Sequence, residues 1–138
     1  MALPLLLDTC AAVWIAQGAP IGDEARGTLI EARLRGAPIA VSPVTAWEVG
    51  VLVHQGRIRL AMDPAKWFSA LSTLPGISVA ALTADTLIAS SFLPGMPPSD
   101  PIDRILIATA RDQGYRLMTR DRVLLDYADS GNLQAVAC

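Results

Sequence analysis

Five short apolar runs, residues 3–7, 39–41, 77–81, 115–118 and 133–136, punctuate the chain, and the stretches between them carry apolar residues at helical spacing. Strands that read as continuously apolar belong to a sheet covered on both faces, and their alternation with helices predicts an α/β fold built on a parallel sheet. The helical stretches fall at residues 9–17, 23–35, 44–55, 64–73, 84–92, 102–113 and 122–127. Their ends carry local signals. Ser42-Pro43 and Asp100-Pro101 each put a capping side chain before a proline in the first turn, where the missing N–H costs nothing. Gly18, Gly36, Gly56 and Gly114 follow helices at the other end. Residues 93–99, rich in proline, form a stiff loop.

A chain of 138 residues, 52% hydrophobic, suffices for one core and is short for two, so a single domain over residues 1–138 is expected. Eleven basic residues against 13 acidic ones give a net charge of −2, which is no general footprint for nucleic acid. The distribution says more than the total, because Arg104, Arg120 and Arg122 flank acidic positions. Two cysteines, Cys10 and Cys138, make neither a disulfide framework nor a zinc spacing, which suits a reducing cytoplasm. The apolar stretches 2–7 and 39–53 are broken by Asp8 and by Ser42-Pro43 and Glu48, so neither reads as a signal peptide or a membrane span. Mean hydropathy of +0.41 is high for such a chain and points to apolar surface covered by a partner or a second copy.

Asp103 heads the apolar run 105–110 and shares a helical face with Leu106, Ile107 and Ala110. A carboxylate on an inward face needs a neutralising partner. Asp8 and Asp121 follow apolar strands, at the carboxyl ends where parallel sheets collect ligands. Each of these acids alone has a simpler explanation, Asp8, Asp100 and Asp121 as N-caps and Asp103 as a first-turn charge on the helix dipole. Glu48 resists that explanation: it stands in mid-helix and is the only ionisable side chain between Arg35 and His54, leaving a buried ion pair as its structural alternative.

Taken together, Asp8, Glu48, Asp103 and Asp121 can converge on one side of a parallel sheet. Two carboxylates about 5 Å apart repel by roughly 3 kcal/mol at an effective dielectric near 20, so four of them call for a cation. A donor set of oxygen alone suits Mg²⁺ or Mn²⁺ better than zinc. Such an ion serves chemistry at phosphate, and phosphodiester hydrolysis is the expected reaction. Thr9 and Thr119 are placed to donate hydrogen bonds there, although turn or capping roles explain them equally well.

These residues resemble the PIN-domain ribonucleases, and within them the VapC toxins of bacterial toxin-antitoxin pairs. The resemblance runs through Leu5-Leu6-Leu7-Asp8-Thr9, Ser42-Pro43-Val44-Thr45-Ala46-Trp47-Glu48-Val49, Gly56-Arg57-Ile58, Asp100-Pro101-Ile102-Asp103-Arg104-Ile105-Leu106-Ile107-Ala108 and Leu117-Met118-Thr119-Arg120-Asp121. It implies a three-layer α/β/α domain with a parallel sheet of four to five strands in the order 3-2-1-4-5. It further implies Mg²⁺- or Mn²⁺-dependent RNA cleavage by a metal-activated water, a homodimer, and a VapB-like antitoxin whose tail blocks the site. The family's acidic site falls on Asp8, Glu48, Asp103 and Asp121. Where the subgroup has a Lys a turn after the glutamate this chain has Leu52, and Pro98 and Ser99 stand where a His often precedes the Asp-Pro pair. Arg104 is a candidate for part of the missing positive charge.

Two other readings compete. A PIN fold that only binds a partner would have no reason to keep four mutually repelling acids. A haloacid-dehalogenase-like phosphatase also begins with Asp after a strand, but its second Asp would fall on Cys10, and the only lysine, Lys66, lies in a segment without site character. His54, the only histidine, reads as structural at a helix end. Trp14, Trp47 and Trp67 read as core from their apolar neighbours at helical spacing.

Overall fold

Strand β1 (Leu5–Leu7) lies in the middle of the sheet in the computed structural model, which describes residues 3–138. The first residue of the apolar stretch 2–7 lies outside the described residues. All three leucines of β1 are fully buried, since helices cover both faces of a central strand. With β2 (Ile39–Val41), β3 (Ile77–Val79), β4 (Arg116–Thr119) and β5 (Ala135–Ala137), it forms a five-stranded parallel sheet in the order β3-β2-β1-β4-β5. This is the order the resemblance implied. Strands β1 and β3 are shorter than the runs 3–7 and 77–81 because both pair with β2 and β2 has three residues, Leu5 and Ile77 meeting Ile39 and Leu7 and Val79 meeting Val41.

Seven helices connect and cover the sheet: α1 (Thr9–Ala16), α2 (Asp23–Arg35), α3 (Pro43–His54), α4 (Pro64–Ser72), α5 (Ala84–Ala89), α6 (Pro101–Gln113) and α7 (Arg122–Asp129). Successive strand side chains point to opposite faces, so the core is double. Leu5, Leu7 and Met118 meet Ala11, Ala25 and Trp67 on one side. Leu6 and Leu117 meet Leu106, Ile107, Leu124 and Tyr127 on the other. The result is an α/β/α sandwich.

Local chemistry sets where the helices begin and stop. Asp100 accepts hydrogen bonds from the N–H groups of Ile102 at 2.8 Å and Asp103 at 3.1 Å, with Pro101 opening the turn. Gly114 ends α6 in the left-handed region at φ 74°, a conformation strained for a residue with a side chain, and turns the chain into β4. Helix α5 is shorter than the stretch 84–92, because Ser90 folds its hydroxyl back onto the Leu87 carbonyl at 2.6 Å and the chain leaves the helix in turns.

Of the three tryptophans only Trp67 is core. Trp47 is 59% exposed: α3 buries Thr45 and Val49, and Trp47, two residues from each, points to the opposite side. Leu34, Phe92 and Met96 are also strongly exposed. Among the described residues no helix is long and apolar enough to cross a membrane.

Candidate metal centre

Strands β1 and β4 lie side by side with Leu7 level with Met118, so the residues leaving their carboxyl ends are neighbours. The Asp8 N–H donates to the Met118 carbonyl at 3.0 Å. The Asp8 carboxylate caps α1, Oδ1 accepting from the Ala11 N–H at 2.7 Å, while Oδ2 accepts the Thr119 hydroxyl at 2.5 Å. Thr119 Oγ1 in turn accepts the Asp121 N–H at 3.0 Å, and Asp121 caps α7 through the Val123 N–H at 2.8 Å. One buried hydroxyl therefore ties two acids on different strand ends together. The Thr9 hydroxyl pairs with that of Thr45 at 3.1 Å, which fastens α1 to α3.

Glu48 on α3 and Asp103 in the first turn of α6 enter from two helices that pack against each other. Leu106, Ile107 and Ala110 are buried as their spacing implied, and Asp103 at the head of that face is partly buried. The four acids line a single cavity of about 280 Å³, together with Thr9, Cys10, Trp14, Leu106 and Arg120. Asp100, three residues before Asp103, caps α6 and does not line it.

The electrostatics of this cavity are one-sided. Asp103 is pushed up from 3.8 to about 7, first by burial and then by Asp100, Asp121, Glu48 and Asp8, every influence acting in the same direction. Asp8 is also raised, burial outweighing the hydrogen bonds from Thr119 and Ala11, with Glu48 and Asp121 adding repulsion. Among the described residues the ion pairs are Arg26–Asp23, Arg35–Glu31 and Arg122–Asp126, all on exposed helix faces, so Glu48 has no arginine partner there. The cavity concentrates negative charge, and Arg120, the one basic side chain lining it, forms no ion pair with the acids.

Among the described residues no three His, Cys, Asp or Glu side chains close into a tight cage. Mg²⁺ does not need a closed cage, since it keeps several waters and takes one or two carboxylates plus phosphate oxygens. An all-oxygen set with uncompensated charge fits a hard divalent cation. Cys10 also lines the cavity, and burial and then Asp8 push its thiol up to about 11.

Residues 5–130 match the PIN domain family. The chain belongs to this family. Over 86 residues it is 34% identical to Ribonuclease VapC22 of Mycobacterium tuberculosis, a stretch that makes up 62% of this chain and 65% of that relative, just under two thirds of its length. The fold of this PIN domain is similar to the structure of VapBC2 from Rickettsia felis bound to a DNA fragment from their promoter, with TM-score 0.66 and 16% identity over 96% of this chain and 97% of the other. It is similar also to a toxin-antitoxin complex from Klebsiella pneumoniae, with TM-score 0.58 and 23% identity over 96% and 95% of the two chains. At these identities the two structures speak to the fold.

Two side chains in the PIN domain's cavity had not been assigned to it from pattern. Arg120 holds its guanidinium carbon 3.8 Å from the centre of the Trp14 ring, so Trp14 stands at the cavity and not in the core. The available signal was Arg120's place next to Asp121; nothing along the chain pairs it with a tryptophan on α1. Arg104 goes the other way. Its guanidinium donates to the carbonyls of Ser90 at 2.9 Å, Pro98 at 3.0 Å and Ser91 at 3.3 Å, clamping the loop before α6 instead of facing the acids.

Proposed function

We propose that this PIN domain, one domain over residues 1–138, is a Mg²⁺- or Mn²⁺-dependent endoribonuclease and the toxin of a toxin-antitoxin pair. Asp8, Glu48, Asp103 and Asp121 hold the metal and form its catalytic set. The observation that carries this reading is the convergence of four acids from four segments on one cavity, with no ion pair to any of them among the described residues. Nucleases of this family depend on a metal ion as a class. When bound, the ion polarises a phosphoryl oxygen and makes water a nucleophile near neutral pH.

The protein's own part is to hold oxygens in place. Thr119 and the Ala11 N–H fix the plane of Asp8, and each Asp8 oxygen keeps a lone pair for a ligand. The Asp121 N–H bond to Thr119 sets the second acid against the first. Glu48 and Asp103, on helices of the fold, add charge to the same cavity.

The matched relative is named as a ribonuclease, which supports RNA as substrate. The two similar structures are toxin-antitoxin complexes, which supports a VapB-like antitoxin as partner. Exposed Leu34, Phe92 and Met96 are suited to cover by that partner or by the second subunit of a homodimer. The expected compartment is the cytoplasm. The phosphatase alternative loses support, since Cys10 stands in place of its second Asp and Lys66 does not line the cavity.

The test is incubation of the purified protein with total RNA in Mg²⁺ or Mn²⁺, with EDTA and Asp8→Asn as controls. Cleavage that both controls abolish is expected. Equal cleavage by Asp8→Asn overturns the mechanism, and RNA left intact under every condition favours the non-catalytic binding module. Growth arrest on expression, relieved by the same substitution, tests the toxin role.

A further inference from the structure

We infer that Arg120, braced on Trp14, receives a phosphate of the RNA strand beside the bond being cut. This rests on the nuclease reading and adds to it a residue that positions substrate.

A cavity lined by four carboxylates repels a polyanion. The bound ion answers for the phosphate being cut, and the neighbouring phosphates need another cation. Arg104 is engaged with three carbonyls, and among the cavity-lining residues Arg120 is the only basic side chain. Although it borders Asp121, it forms no ion pair within 4 Å with any cavity acid, and it does not figure among the influences on Asp8 or Asp103. Two contacts hold it, the face of Trp14 at 3.8 Å and the Cys138 backbone oxygen, which accepts from Nη2 at 2.9 Å. A guanidinium has five N–H donors in a planar fork, so most remain available to phosphate oxygens. Stacking on the indole fixes that fork beforehand, which lowers the entropy lost on binding.

The measurement uses a fluorescent single-stranded RNA, whose binding to Asp8→Asn and to Asp8→Asn/Arg120→Ala is followed by anisotropy from low to moderate salt. Removing one phosphate contact is expected to weaken binding about tenfold and to make the plot of log K against log salt shallower by about 0.7. In the otherwise native enzyme, Arg120→Ala is expected to raise KM with kcat changed far less, and to leave the melting shift on adding Mn²⁺ intact. Arg120→Lys should restore the salt slope but only part of the affinity, and Trp14→Leu should weaken binding without changing the slope. Should Arg120→Ala fail to fold, Arg120→Gln, which keeps a polar side chain without the charge, carries the same expectation. Cleavage by the native protein with KM and salt slope unchanged in the variant overturns the assignment of Arg120 alone. No cleavage or binding of RNA by the native protein overturns the nuclease reading with it.

Discussion

Asp103→Asn keeps the shape of the side chain and removes its charge, and it should reverse the order of stability between variant and native protein according to whether metal is present. The carboxyl is pushed from 3.8 to about 7. At 1.36 kcal/mol per tenfold change in proton affinity, this is about 4 kcal/mol against the charged form before screening. Asp103 is only partly buried, and water brings the figure down to about 1–2 kcal/mol. The sign follows from linkage: below pH 4 the carboxyl is mostly protonated in both states and contributes little. Between pH 4 and 7 the unfolded chain ionises first, so native stability declines, and above 7 the loss is complete. In EDTA at pH 8, Asp103→Asn should therefore melt above the native protein by about 4–8 °C, at about 4 °C per kcal/mol for a chain of this size. Metal at a hundredfold excess over Kd stabilises the native protein by about 2.7 kcal/mol, near 10 °C, and the variant should gain far less. Thermal melts followed by circular dichroism, in EDTA and in MnCl₂, give all four values. A variant that melts lower in EDTA, or that keeps the full metal shift, would refute the account of Asp103 as a strained ligand.

The same reasoning reaches three other positions. Asp100→Ala removes the acceptor for two N–H groups and should cost about 1 kcal/mol in a denaturant titration while cleavage persists, whereas Asp100→Asn should retain most of the stability. Thr119→Val deletes the hydroxyl joining Asp8 to Asp121, and isothermal titration should record a 10- to 100-fold weaker metal affinity, roughly the effect of losing an outer-shell partner. Arg104→Ala frees three carbonyls and should lower stability by about 1–3 kcal/mol in the same titration, with kcat/KM for RNA nearly unchanged once the protein is folded.

The strand sequence and the helix ends were legible because their causes are local. A buried parallel strand must be apolar throughout, and a Ser-Pro or Asp-Pro pair acts within a single turn. Asp8, Glu48, Asp103 and Asp121 could be grouped from pattern because topology alone carries strand ends and inward helix faces to one rim. What stayed hidden depends on side-chain direction. Trp47 and Trp14 have apolar neighbours at helical spacing like Trp67, yet one faces solvent and the other carries Arg120, because each helix buries a face narrower than its apolar content. The duty of Arg104 was hidden too, since its carbonyl partners lie in a loop whose path no periodicity records.

The capping bonds of Asp8 and Asp121 bear on how any sequence of this kind should be judged. These two aspartates start α1 and α7 whether or not the protein is an enzyme, so a chain that lost its chemistry would still be held to them by the requirements of folding. Glu48 and Asp103 cap nothing, and Asp103, once ionised, works against the fold. Active and inactive versions of this architecture should therefore part company first at positions 48 and 103.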